Sequence, residues 1–330
     1  MQGVFHKLSP NVQGIMLILF GVLCLAVMDT VMKLLLDDGF AVLQVLAVRS
    51  WFVVPAMALW AWRTLGGEAL RTKRPGLHFV RVVLGFFAPF FFFSALQTMA
   101  LADATVIFFG ATFLMTALSV PILKEKVGPH RWGAVVVGFV GVLIALEPGG
   151  EFSFVTGTDA LGPLYALLAS LSYALLMLIT RWMGPGEGAF KQVIYFHAWM
   201  CVAATAFSVS DFKPMSGGDV SLVVIAGGIA ILGHLSLTRA FSIAPVGLVA
   251  PFEYTALVWA TLFGFLVWGH VPGAPVLIGA AVIVGSGLYL LHRETRFERL
   301  KTATAKAASE GAPPPVAMPL PPSVVADRKD

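Results

Sequence analysis

The sequence predicts an all-α integral membrane protein of ten transmembrane helices, built as two inverted five-helix repeats. Three observations lead there: long apolar runs, positive charge confined to alternate connections, and residues that recur at a nearly constant offset. Of the 330 residues, 58% are hydrophobic and 12% charged, against about 25% charged in a soluble domain. That balance makes the lipid bilayer the expected solvent. The formal net charge of +4 calls for no nucleic-acid partner, because topology accounts for the cations.

The apolar runs fall at 14–36, 40–62, 78–98, 104–123 and 132–146, then at 160–182, 192–210, 220–240, 246–268 and 275–291. Connections as short as 37–39 and 99–103 imply antiparallel neighbours. With the N-terminus inside, the inner connections hold Arg63, Arg71, Lys73, Arg74, Lys124, Lys126, Arg131, Arg181, Lys191 and Arg239, while the outer ones hold Lys213 alone. This positive-inside bias puts both termini in the cytoplasm; the inner (plasma) membrane is the expected location. No cleavable signal is expected, since the first run is too long for a signal-peptide core. Cys24 and Cys201 lie in apolar runs and imply no disulfide framework.

The halves repeat. At an offset of 148, Gln44 meets Gln192 and Trp51 meets Trp199; at 145, Ala95 meets Ala240 and Thr116 meets Thr261; at 146, Gly133-Ala134 meets Gly279-Ala280. Five helices per copy is an odd number, so the second copy enters from the opposite side, as in many secondary transporters. The expected units are 14–147, 160–292 and a Pro/Ala-rich, disordered cytoplasmic tail over 301–330, with a charged extension of the last helix over Arg293–Lys306.

The run 246–268 organises the candidate chemistry. Its 23 residues would span roughly 34 Å. Glu253 lies inside it, at an insertion cost on the order of 3 kcal/mol. Pro251 cannot donate to the Gly247 carbonyl, which frees a polar backbone group one turn away. An acid there either binds a polar solute or pairs with an interior cation; the solute is favoured. Asp29 and Lys33 share one face of the first helix. They neutralise each other, or Asp29 binds a cationic solute; the internal pair is favoured. Arg49, too deep to snorkel easily, pairs with Asp29 or Glu253 or grips a carboxylate or phosphate. His197, at the position equivalent to Arg49, carries a proton or donates one hydrogen bond in a packed core. Gln44, Gln192 and His234 are candidates for hydrogen bonding in a cavity. Tyr254 and Trp259, with Trp51, Trp199 and Tyr173, could form an aromatic wall. Pro89 and Pro251 are candidate hinges. Small residues such as Gly141 and Gly279 let helices approach closely, within the chain or at a homodimer face. There is no metal-ligand spacing, no nucleophile with a base in a motif and no phosphate-binding loop, so no metal, cofactor or enzyme activity is expected.

The paired endings LADATVIFFGATFLMTALSVPILKEKVGPHRWGAVVVGFVGVLIALEPG and AFSIAPVGLVAPFEYTALVWATLFGFLVWGHVPGAPVLIGAAVIVGSGLYLLHRE resemble the EamA-type transporters of the drug/metabolite transporter superfamily. The resemblance covers about residues 14–293. Within that family, MDTVMK, LAVRSW, RPGLHFVR and DATVIFF are most similar to the S-adenosylmethionine uptake branch, with riboflavin importers close by. The family often closes its fourth and ninth helices with Gly-Glu; here Lys124-Glu125 and Gly269-His270 stand there. The resemblance implies transport of a small organic solute without ATP, by antiport or proton coupling. Import of a nucleoside-like cofactor and export of amino acids, amines or drugs remain alternatives inside it. A membrane-embedded enzyme or assembly factor is the rival from another class.

Overall fold

A computed structural model describes residues 10–64, 72, 74–124, 127–146, 161–183, 189–243 and 250–309. The described chain is helical, with no strand among these residues. The helices are α1 (Pro10–Asp37), α2 (Val42–Thr64), α3 (Pro75–Leu96), α4 (Leu101–Phe108), α5 (Gly110–Leu123), α6 (Pro129–Ala145), α7 (Leu161–Met183), α8 (Ala189–Ser208), α9 (Gly217–Ile243), α10 (Thr255–Trp268) and α11 (Ala274–Ser309). Short 3₁₀ turns at Val209–Asp211 and Ala250–Tyr254 precede α9 and α10.

Among the described residues, six stretches are long and apolar enough to cross a membrane: Pro10–Asp37, Val42–Arg63, Pro75–Leu96, Leu101–Ile122, Leu161–Ile179 and Gly217–Leu237. Four shorter apolar helices, Trp132–Ala145, Val193–Ser208, Phe252–Trp268 and Ala274–Tyr289, fall on the remaining apolar runs of the sequence. Large side chains such as Trp62, Phe207 and Leu266 point outward and are exposed. Such a surface suits lipid rather than water, so this is a multi-pass membrane protein.

Local chemistry sets several boundaries. Gly39 turns the chain between α1 and α2 at φ +82°, a conformation that glycine adopts without strain. Ser216 and Asp219 cap α9 reciprocally, backbone N–H to side-chain oxygen at 2.8 and 3.2 Å. Gly269 closes α10 at φ +66°, and the His270 N–H returns to the Gly264 carbonyl at 3.1 Å.

The most extensive packing pairs α1 with α9, α3 with α7, α6 with α11 and α2 with α8. The core lies where these pairs meet and is filled by residues such as Met32, Leu46, Leu96, Ile107 and Met200. Gly141 and Gly279 serve the α6–α11 contact: a Cβ on Gly279 would lie 2.5 Å from the Gly141 carbonyl oxygen. These two small residues are used within the chain.

Three local features differ from the sequence reading. The fourth apolar run, read as one helix, is interrupted at Phe109 between α4 and α5. The ninth does not present Pro251 inside a regular α-helix; Pro251 stands in the 3₁₀ turn that leads into α10, and Gly247 lies outside the described residues. The last helix runs on to Ser309, through the charged extension expected over 293–306, so a tail beginning at 301 is set too early. Its Ala and Lys content favours helix. Residues 310–330 lie outside the described chain.

Candidate functional site

Two groups of polar side chains stand out, and their environments differ. The first lies deep in the bundle. Arg49 comes from the middle of α2 and is 3% exposed. Its Nη1 donates to the Met28 sulfur at 3.3 Å, and its guanidinium carbon is 6.0 Å from the Phe93 ring centre. A thioether is a weak acceptor, and the Arg49 Nε has no acceptor at all among the described residues. His197 reaches in from α8 at 1% exposure, with neither ring nitrogen partnered among the described residues. Its ring centre is 6.2 Å from that of His234 on α9.

Asp29 on α1 stands within electrostatic reach of Arg49. Among the described residues it makes no ion pair and no hydrogen bond. Asp29 and His234 are surrounded by protein yet only partly buried.

Glu253 sits in the 3₁₀ turn Ala250–Tyr254, close to Tyr173 and Tyr254. It too is enclosed but not fully covered, and it makes no hydrogen bond or ion pair among the described residues. Aromatic rings run from there toward Arg49. Tyr173 lies 5.1 Å from Phe108, Phe108 lies 5.2 Å from Phe92, and Phe92 lies 5.7 Å from Phe93, the ring under the guanidinium. Phe109 packs on Tyr254 at 5.2 Å. Gly287 leaves room for the Tyr254 ring, since a Cβ there would collide with its hydroxyl. Trp259 stacks on Phe263 at 5.9 Å and leaves its indole N–H without an acceptor among the described residues.

The second group gathers where α1, α3 and α10 end and α2 and α4 begin. Lys33 donates to Asp37 Oδ1 at 3.2 Å and to the Leu96 carbonyl at 2.8 Å. Its ammonium lies 5.3 Å from the Trp268 ring centre. Trp268 in turn donates its indole N–H to Asp37 Oδ2 at 2.7 Å. His270 approaches Asp103 at 3.7 Å. Gln44 binds the backbone of Lys213 twice: its Nε2 donates to the carbonyl at 2.6 Å, and its Oε1 accepts from the amide N–H at 3.0 Å. The Lys213 ammonium donates to the Gly39 carbonyl at 2.6 Å.

This geometry corrects two sequence expectations. Lys33 pairs with Asp37, not Asp29: both are four residues away, but only Asp37 lies beside the Leu96 carbonyl and the Trp268 ring. Gln44 is spent on a backbone clasp and does not face a cavity. Trp51 likewise has a structural use, donating to the Thr205 hydroxyl at 2.8 Å and stacking on Phe212. The side chains of Gln192 and Pro251 lie outside what is described. Pro89 stays within an unbroken α3.

Sequence reasoning overlooked the contacts of Asp37 with Lys33 and Trp268 and of Asp103 with His270. The only signal was their place at helix ends. It also overlooked Ser170, whose hydroxyl lies 3.0 and 3.2 Å from the Ile107 and Phe108 carbonyls beside the interruption at Phe109.

The comparisons with known proteins extend beyond the site, over up to 84% of the chain. Residues 12–146 match the EamA-like transporter family. A riboflavin transporter of Vibrio cholerae is 30% identical, over 72% of this chain and 78% of its own. An S-adenosylmethionine uptake transporter of Rickettsia felis is 27% identical, over 70% and 76%. A riboflavin transporter of Rhizobium johnstonii is 27% identical, over 83% and 94%. One solved crystal structure superimposes with a TM-score of 0.57 at 19% identity, over 84% of this chain and 98% of that one. At that identity the likeness concerns the fold alone.

Proposed function

The chain belongs to the EamA-like transporter family, and from that premise we propose that it is a secondary active transporter that moves a small organic metabolite across the inner membrane by alternating access. Its relatives are named transporters, so the chain is a transporter and not an enzyme. The observation that carries the finer reading is Glu253: a carboxylate deep in the bundle, among aromatic rings, with no hydrogen bond or ion pair among the described residues. A group that costly inside a membrane is kept for a ligand.

Several features support the inverted five-helix repeat. Shifting α5 (Gly110–Leu123) by 145 residues gives the bounds of α10 (Thr255–Trp268). Phe109 and Tyr254, one residue before each, share φ −63° and ψ −14°, and their rings touch. Lys124 and Gly269, one residue after each, are both left-handed. The packing agrees. If α1 corresponds to α7 and α3 to α9, the α1–α9 contact is the counterpart of α3–α7, while α2–α8 and α6–α11 are their own counterparts. Solute then binds between the halves, and the paired interruptions before α5 and α10, with Pro251 in the second, are the places to flex. The positive-inside bias puts both termini in the cytoplasm. The Lys33–Asp37–Trp268 network then closes the outer end.

S-adenosylmethionine and riboflavin are the solutes to try first, because relatives are named for them. Counterflow into vesicles holding the purified chain tests the reading. Saturable uptake of one of these, lost in Glu253→Gln, is expected. Uptake that is undiminished in Glu253→Gln rejects the central site.

A further inference from the structure

We propose that Arg49, with His197 and His234 beside it, forms a subsite that receives an anionic group of the transported solute, a carboxylate or a phosphate. This rests on the transporter reading above and narrows it to solutes that carry such a group. The case starts from donors that lack acceptors. A guanidinium offers five N–H donors and accepts nothing. Arg49 is 3% exposed, yet its one hydrogen bond among the described residues goes to the Met28 thioether. Leaving such donors unmet inside a protein is costly. Asp29 is close enough to temper the charge but is not in contact with it. The guanidinium is therefore anchored on an apolar bed, Met28 and the Phe93 ring, with donors in reserve.

His197 adds to this from the other half. It lies 148 residues after Arg49, on α8, which packs on α2. Both of its ring nitrogens are unpartnered among the described residues at 1% exposure. A neutral imidazole always has one N–H to give. His234, with its ring 6.2 Å away, is only partly buried, so the cluster is not sealed on that side. Donors from α2, α8 and α9 thus converge, and the acceptor they lack is the kind a planar carboxylate or a phosphate supplies. Arg is better suited than Lys to that task because its planar fork binds two oxygens at once. The aromatic run from Phe93 to Tyr173 then leads to Glu253, which would take a cationic group or a hydroxyl at the other pole.

The test compares solutes that differ only in the anionic group, on the full-length protein in lipid vesicles and in detergent. One pair is S-adenosylmethionine and its decarboxylated form; the other is riboflavin 5′-phosphate and riboflavin. For at least one pair, wild type should bind the anionic member at least about tenfold more tightly. Arg49→Gln should reduce that ratio to about one, and Arg49→Lys should keep part of it. His197→Asn should reduce it less, at an unchanged melting temperature. If Arg49→Gln does not fold, the wild-type ratios and His197→Asn decide. A preference for the first pair identifies a carboxylate site, and for the second a phosphate site. The subsite is overturned if wild type favours the anionic member of neither pair, or if both members of a pair weaken equally in Arg49→Gln. In that event, saturable flux of riboflavin would leave the transporter reading standing. Absence of flux for all four solutes would overturn the subsite and the choice of S-adenosylmethionine and riboflavin as solutes, and leave the family membership untouched.

Discussion

The two polar groups of this molecule are made from the same residue types and end in opposite states. At the end of the bundle, Lys33 has a carboxylate and a carbonyl, Asp37 has an ammonium and an indole, and Gln44 has two backbone partners. In the interior, Arg49 has a thioether, and Asp29, Glu253 and His197 have no hydrogen-bond partner among the described residues. Leaving polar groups unmet is affordable where water reaches and expensive where it does not. The distribution is the reverse of what stability alone would favour. The groups at the end of the bundle, largely satisfied apart from Asp103 Oδ1, hold helices and connections together. Unsatisfied groups at depth are available to something that arrives from outside.

Substitutions should therefore separate the two groups by readout. The largest expected effect is on transport. Glu253→Gln is expected to cut solute flux in vesicles by about 10- to 100-fold, the value of one or two charge-assisted contacts. Its melting temperature without solute should hold or rise, since a buried charge with no partner has been removed. A clear fall in melting temperature with flux preserved would place Glu253 among the structural groups. Next in size is Gln44→Ala. It removes two hydrogen bonds and strands the Lys213 backbone, at a cost of about 2–3 kcal/mol in stability, while solute affinity is expected to stay near wild type. Lost affinity at unchanged stability would return Gln44 to the cavity, as its sequence position suggested.

What the sequence disclosed and what it concealed follow the range of the interactions. Helix positions come from apolar runs, which are local, and the described helices fall on them. The 148-residue spacing between Arg49 and His197 was visible in the sequence. The interruption at Phe109 was not, because Phe and Gly110 are unremarkable in an apolar run; the Ser170 hydroxyl, which also reaches the Ala166 carbonyl of its own helix, lies beside it from 63 and 62 residues away. The role of Gln44 is set by a backbone 169 residues away. The choice of Lys33 between Asp29 and Asp37 is local in sequence, yet it is made by Leu96 and Trp268 from other helices. Local pattern supplies elements, while long-range partners decide which polar side chains remain unspent.

That choice gives the third comparison. Asp37→Asn weakens the pair with Lys33, although Asp37 is about one-third exposed (34%) and its partner is not. The expected cost is about 1 kcal/mol after solvent screening. Asp29→Asn should cost less stability than this, because no pair is broken, but should impair flux more. The opposite ranking in paired melting and flux measurements would restore Asp29 as the partner of Lys33.

The smallest effect is expected at Pro89, where the two groups are joined by a helix rather than by a contact. The ring removes a backbone donor inside α3, yet α3 stays helical from Pro75 to Leu96. The residue is thus better placed to soften the helix than to break it. Phe93, one turn further on, carries the ring under Arg49, and Leu96, at the end of the same helix, accepts from Lys33. Bending at Pro89 would move the interior ring relative to the end network. Pro89→Ala should stiffen that link and slow counterflow a few-fold, while equilibrium solute affinity changes by less than about twofold and stability holds or rises. Exchange at the wild-type rate would remove Pro89 from the moving parts. The interruptions at Phe109 and Tyr254 would then be left to account for the conformational change.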